Sequence, residues 1–303
     1  MDTTLKGALK KAKRKQLLKT IIASIIVVLV LLPPLYKTGN YFAAKGASRL
    51  HNQLFLYHAI AEPNIRIDSQ VTSSSSTFGG NITTNRSKNI NGYLVQWSTL
   101  TNSYDWRRHQ MDFNEITPGF FHSDTGFLEY DKQTKKKVAT FYHPAIKEYY
   151  DGIQNELATI SQMDNHVAEV AISFDQPYTF QDIQAKIPDN LNIVWLYMTS
   201  PIVNESKRPA GAPVYGFNLS DSPNEAYTSF SDALEQYDAN GYNETIQAFL
   251  HSNNKKPFDE VEILGIMLTG QTKNFKALEN QNFIRGASVG ATAEIVPYIK
   301  PEK

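Results

Sequence analysis

Thr20-Ile-Ile-Ala-Ser-Ile-Ile-Val-Val-Leu-Val-Leu-Leu-Pro-Pro-Leu-Tyr36 carries no charge, and with Leu17 and Leu18 it grows to twenty residues broken only by Lys19. Twenty helical residues at about 1.5 Å each cover about 30 Å, the thickness of a bilayer's hydrocarbon core. Thirteen of the twenty are Leu, Ile or Val. Each favours insertion by roughly 0.3 to 0.6 kcal/mol, and Lys19 at the edge reaches the headgroups with its ammonium. The core helix of a soluble domain is apolar along one stripe, not on every face. Residues 20–36 therefore read as a transmembrane helix. Pro33 and Pro34 fall in its last turn and predict an end or a bend there. Tyr36, Tyr41 and Phe42 suit the outer interface, where amphipathic rings settle.

The charge on either side orients this span. The whole chain of 303 residues balances 30 basic against 30 acidic groups, yet residues 1–19 hold seven basic residues against the single acid Asp2. Lys10, Lys11, Lys13, Arg14, Lys15 and Lys19 belong to that collar and are the candidate topology and partner-contacting residues. Cationic flanks stay on the cytoplasmic side, which puts the N-terminus inside and everything after Tyr36 outside. A cleaved signal peptide has the same charge order. Its small-residue cleavage site would have to be Ala43-Ala44 or Ala47, beyond a charged stretch, which favours a retained anchor. The chain contains no cysteine, which excludes a lipoprotein anchor, a disulfide scaffold, a thiolate nucleophile and an iron–sulfur cluster. Leu5, Leu9 and Ala12 share one helical stripe among the lysines, so the collar is a topology signal or, beyond that, a surface for anionic lipid or a cytoplasmic partner.

Beyond the span, Ala43, Ala47, Leu50, Leu54, Tyr57 and Ala61 recur at three- and four-residue steps and predict a helix running outward to Pro63. Ile65–Asp68 reads as a strand, and the polar stretch Thr72–Asn81 as a loop. Residues 92–97, 126–130 and 138–142 read as strands, with 131–137 a hairpin connection. Pro144 followed by Ile146, Tyr149, Tyr150, Ile153, Leu157 and Ile160 predicts an amphipathic helix to Met163. Then come a strand (167–174), a helix (179–187) and a strand (191–198), and a Pro- and Gly-rich loop (201–213). Helices over 223–238 and 243–251, a strand over 261–268, a helix over 272–280 and a strand over 287–298 complete the chain. The fold class is α+β: one N-terminal transmembrane helix, a β-rich segment, and a β-α-β-type sandwich of sheet and helices. The organisation is a basic cytoplasmic segment (1–19), the span (20–36), a membrane-proximal helix with a β-rich extracellular module (37–143), and an α+β extracellular module (144–303).

No catalytic or metal motif survives inspection. Gly286-Ala-Ser288-Val-Gly290 has the spacing of a nucleophile elbow, but a strand follows it and no histidine lies beyond His251, whereas that chemistry needs a helix next and a downstream histidine. Gly265–Thr272 resembles a phosphate loop but puts Gln271 where lysine must neutralise phosphate. The seven histidines contain no metal-binding pair at four-residue spacing. His122-Ser-Asp124 and His109 with Asp112 would need folding to join them. No cofactor, nucleic acid or small-molecule substrate is indicated.

Lys11-Ala-Lys-Arg-Lys-Gln16 and Leu31-Leu-Pro-Pro-Leu-Tyr36 resemble the N-terminal module of the sigma-factor regulator family, membrane-anchored anti-sigma proteins of Gram-positive bacteria. Ile187-Pro-Asp-Asn-Leu-Asn-Ile-Val-Trp-Leu-Tyr197, Gly216-Phe-Asn218 and Phe283–Gly290 resemble its C-terminal module. The resemblance implies an outer domain that senses or is restrained at the cell surface, and negative control of an extracytoplasmic-function sigma factor. Developed members carry a folded cytoplasmic sigma-binding domain. With residues 1–19 inside, capture would be direct through that segment or would pass through a second membrane protein. The alternatives are a surface-anchored envelope-binding module, an enzyme, or a structural subunit of a membrane complex.

Overall fold

A computed structural model describes residues 3–123, 126–149, 152–202 and 213–303. The chain divides into two compact units, residues 1–50 with 72–82 and 103–110, and residues 51–71 and 83–102 with 111–303.

The first unit is built on α1 (Thr3–Ala61), which runs without a break through Pro33 and Pro34. The expected helix end at the prolines is thus corrected. Each proline removes one amide donor, so the carbonyls of Leu29 and Val30 lose a partner while the helix continues past them. From Leu17 to Leu35 the large apolar side chains are exposed, and among the described residues α1 is the one helix long and apolar enough to cross a membrane. Past that stretch Gly39, Ala43, Gly46 and Leu50 form a buried stripe. A Cβ on Gly39 would stand 3.0 Å from the Thr77 carbonyl oxygen, and one on Gly46 2.7 Å from that of Asp105. Backbone meets backbone here, which only glycine permits.

Thr77 lies in the turn joining β1 (Arg66–Ser76) to β2 (Gly79–Ile90), so the loop expected over 72–81 is instead a hairpin. Its serines and threonines suit a pleated strand whose side chains stay in water, and β1 is exposed along most of its length. The Ser76 hydroxyl fastens the turn, accepting from the Phe78 amide (3.3 Å) and donating to the Gly79 carbonyl (3.0 Å). β3 (Tyr93–Asp105) and β4 (His109–Gln110) complete a four-stranded sheet in chain order.

In the second unit, α2 (Phe113–Ile116) precedes a hairpin of β5 (Gly119–Ser123) and β6 (Gly126–Tyr130). The 131–137 connection closes as predicted, with Tyr130 bridged to Lys137. The strand expected at 138–142 does not form. After Val138 the chain leaves β6, and Phe141 packs 5.5 Å from Trp195 and 5.0 Å from Tyr197, centroid to centroid. The helix expected from Pro144 is likewise reduced to α3 (Leu157–Ile160). The Arg285 guanidinium takes the carbonyls of His143 (2.9 Å), Pro144 (2.6 Å), Ile146 and Lys147 (3.1 Å), acceptors that a helix would have used. Farther on, Gln154 accepts from the Ala287 amide and the Glu156 amide donates back to Ala287, both at 2.9 Å. Ile146 and Tyr149 still bury themselves against Tyr142. Their apolar spacing thus marks burial, while the backbone that carries them is not helical. Tyr150, Asp124 and most of the 201–213 loop lie outside the described residues.

The remaining elements are β7 (His166–Tyr178), α4 (Phe180–Lys186), β8 (Asn192–Thr199), β9 (Tyr215–Asn218), α5 (Pro223–Tyr237), α6 (Glu244–Ser252), β10 (Ile263–Gln271) and β11 (Ile284–Glu294). The helix expected over 272–280 is a 3-10 segment, Thr272–Leu278. The sheet order is β11-β7-β10-β8-β9, each neighbour antiparallel. β7 and β8 are therefore parallel with β10 between them, and β10 and β11 are parallel with β7 between them. These are two interlocked split β-α-β units, the order of the ferredoxin-like plait with β9 added at one edge. Val170, Ile172 and Leu196 share one core with Ile183, Phe230 and Phe249 from the helices. Ala171, Trp195 and Tyr197 pack with Phe141 in another. Both faces are thus covered, which explains the unbroken burial of β7 from Val167 to Phe174.

Candidate functional site

The two chemical motifs of the sequence dissolve into structure. Ser288 lies inside β11 opposite Ala171, fully buried, and Gly265–Gln271 is the interior of β10. Among the described residues no three of His, Asp or Glu gather as metal ligands. Lys10, Lys11, Lys13, Arg14, Lys15 and Lys19 stand exposed along α1.

The second unit instead encloses a cavity of about 330 Å³. Its wall is drawn from the last turn of α1, from β2 and β3, from the segment around α2, from β6 and the coil after it, and from Tyr215 and Tyr237. Two ion pairs border it. Arg86 bonds the Glu62 carboxylate and also donates to the Ser98 carbonyl (2.8 Å) and hydroxyl (2.5 Å). His58 Nδ1 meets the other Glu62 oxygen at 2.8 Å. Burial pushes the Glu62 carboxyl up, but Arg86 and His58 outweigh it and hold the group down at about 2.

The second pair joins Lys88 Nζ to Glu169 Oε1 at 2.6 Å, with the ammonium 4.4 Å from the Trp97 ring centroid. Glu169 is fully buried in β7 and satisfied on both oxygens, by Asn64 Nδ2 (2.9 Å) and the Ala291 amide (3.1 Å). That amide is available because the β11–β7 register slips between Val289 and Thr292. A Cβ at Gly290 would lie 2.4 Å from Glu169 Oε1, so the bulge and the glycine together make room for the carboxylate.

Glu129 differs from both. It sits on β6 opposite Phe120, is only 7% exposed, and its Oε1 has no hydrogen-bond partner. Burial raises its carboxyl to about 7, against a smaller opposing pull from Lys137, whose ammonium is bonded to Glu156. Asp131 next to the cavity is engaged, accepting from the amides of Gln133 (3.1 Å) and Thr134 (2.7 Å). Aromatic rings fill in the wall: Tyr57 stands edge-on to Phe113 at 5.9 Å and 6.0 Å from Tyr237. Burial, then Glu62, raises the Tyr57 phenol, and burial pushes that of Tyr237 up to about 12.

Sequence reading did not single out Arg86, Lys88, Glu129 or Glu169 as site residues. The one visible signal was a carboxylate at 169 in the middle of an apolar strand, since charge is tolerated there only with a partner.

Two family descriptions match the chain: Sigma factor regulator N-terminal over residues 6–95, and Sigma factor regulator C-terminal over residues 160–291. The chain belongs to the sigma-factor regulator family. No curated protein and no solved structure matches it significantly. Within this regulator the N-terminal match takes in α1, β1, β2 and the start of β3, and the C-terminal match takes in the five-stranded sheet with its helices. Glu129 falls between the two matches, while Glu62, Arg86 and Lys88 fall in the first and Glu169, Tyr215 and Tyr237 in the second. The cavity is therefore where the family's two modules and the segment joining them meet. A sigma-factor regulatory role, rather than a catalytic one, is what this membership assigns.

Proposed function

We propose that this regulator is a single-pass membrane protein with its N-terminus in the cytoplasm and its folded modules outside, and that it negatively controls an extracytoplasmic-function sigma factor. Control is exerted directly by residues 1–19 or through a second membrane protein that those residues contact. The observation that carries this reading is α1, in which one continuous helix joins an exposed cationic collar, an uncovered apolar stretch and residues of the folded outer module. Lys10, Lys11, Lys13, Arg14, Lys15 and Lys19 hold the orientation through the excess of positive charge, and the same six supply the cytoplasmic contact surface.

The envelope-anchored enzyme is the rival reading, since acid–base catalysis uses carboxyls pushed apart in pKa and the cavity holds Glu62 and Glu129. Glu62, however, is consumed by Arg86 and His58. One available carboxyl binds a ligand; it does not make a catalytic pair. The test has two arms. Protease added to intact cells should remove the folded modules and leave a protected fragment ending within α1, and deletion of the gene should raise transcription of one sigma regulon. An untouched chain overturns the topology, and unchanged transcription of every such regulon under envelope stress overturns the regulatory role.

A further inference from the structure

We propose that the cavity of the outer module is a binding site for a small organic amine, with the ammonium on Glu129 and the body of the ligand among Tyr57, Phe141, Tyr215 and Tyr237. Three observations converge on this chemistry. The cavity, about 330 Å³, falls at the small end of the range that holds drug-sized ligands. Its rings offer the apolar and π-rich wall that cations bearing an organic body favour. Its charges discriminate between ligand classes. Of the cations in the wall, Arg86 and Lys88 are already held by Glu62 and Glu169 and Lys132 is not free either, so an anion reaches a cation by disturbing an existing interaction, which is costly where the pair is buried. Asp131 and Glu115 are also engaged, the latter by the Thr101 amide at 2.6 Å. Among the described residues Glu129 alone presents a buried carboxyl oxygen without a donor, and a buried acceptor left unpaired is a standing penalty that a ligand donor relieves. An ammonium does so with a charge-assisted bond. It also returns the carboxyl toward the ionised state that burial disfavours.

Binding stands on the cavity alone, whereas its coupling to transcription rests on the regulatory reading above. The test uses the full chain in nanodiscs, titrated calorimetrically with three ligands that share one body: tyramine, its alcohol 4-(2-hydroxyethyl)phenol, and its acid 4-hydroxyphenylacetate. The amine should bind about tenfold or more tighter than the alcohol, and the acid weakest, because hydrogen bonds to charged groups contribute about 1.5 to 3 kcal/mol. Glu129→Gln keeps the shape and removes the charge, and should abolish the amine's advantage. Tyr242→Phe, at an exposed position outside the cavity wall, should preserve it. Equal affinities for amine and alcohol, a preference for the acid, no binding by the folded wild type, or an undiminished preference in Glu129→Gln each overturn the proposal. Amine binding without any change in sigma-dependent transcription supports the site and overturns the sensing reading instead.

Discussion

Replacing Glu129 by glutamine should change how the stability of the folded module depends on pH. The Glu129 carboxyl titrates at about 7 in the folded chain against 4.5 for an ordinary glutamate. Its folded-state pKa is raised, so the native protein holds a proton that the unfolded chain releases, and stability falls as pH rises from 4.5 through about 7. At about 1.4 kcal/mol per pKa unit the loss amounts to about 3 kcal/mol, complete above pH 7 and absent below 4.5. The titratable groups interacting with Glu129 are Lys137, with Glu156 bonded to it, and the Tyr142 phenol, while Asp131 and Lys132 line the same cavity. His143 works in the opposite sense. Burial, then Arg285, lowers it to about 4 from 6.5, so its contribution is present above 6.5 and is lost as pH falls toward 4. In the wild type the two slopes oppose each other between pH 4.5 and 6.5, and the curve there should be shallow. Glu129→Gln removes one of them. The variant should match the wild type near pH 4, exceed it by about 3 kcal/mol at pH 8, and show the uncovered His143 slope between. Denaturant melts of the full chain in detergent, followed by tryptophan fluorescence across pH 4 to 8.5, measure this difference. Parallel curves for variant and wild type would refute the claim that this carboxyl is buried without a partner.

The Lys88–Glu169 pair is buried on both sides, so Lys88→Met should destabilise by about 3 to 5 kcal/mol. Adding Glu169→Gln should recover most of the loss, because the cost lies in the stranded charge; a double-mutant cycle measures the coupling. Gly46→Ala places a methyl 2.7 Å from the Asp105 carbonyl, and the resulting shift should cost about 1 to 3 kcal/mol, seen as faster proteolysis near the 77–78 turn. Arg285→Met removes a donor from four carbonyls between His143 and Lys147; His143 keeps the Ile146 amide (3.1 Å), and those of Pro144, Ile146 and Lys147 lose their partner. Unpaired carbonyls that are buried cost about 1 to 3 kcal/mol each, and hydrogen exchange should show the 143–149 segment opening before the five-stranded sheet. Reversing the collar at Lys10, Lys11, Lys13, Arg14, Lys15 and Lys19 to glutamate should invert or abolish insertion, read by protease protection in intact cells.

What was legible in the sequence was whatever local periodicity and flanking charge encode. The span of α1, β7 with α4 and β8, and the helices α5 and α6 all carry their own hydrophobic pattern, and for the elements of the sheet and its helices the pattern suffices because each buries the face it advertises. The segment 144–156 shows where that logic stops. Its apolar residues sit at helical spacing, yet Arg285, some 140 positions away in the chain, supplies the donors that a helix would have supplied from within, and no local reading contains that competitor. The hairpin at 72–81 was hidden for the converse reason, since a strand with both faces in water shows no alternation.

Charge and hydropathy near the N-terminus, then, determined by themselves that this chain has one helix fit to cross a bilayer and which of its ends is cationic, because a lipid phase acts on composition and not on shape. The cavity belongs to tertiary structure alone. Glu62, Arg86, Lys88 and Glu129 hold positions of no special spacing and Glu169 alone stands out, in an apolar strand; only the packing of a helix end, two strands and a plait decides which carboxyl receives a cation and which is left waiting for one.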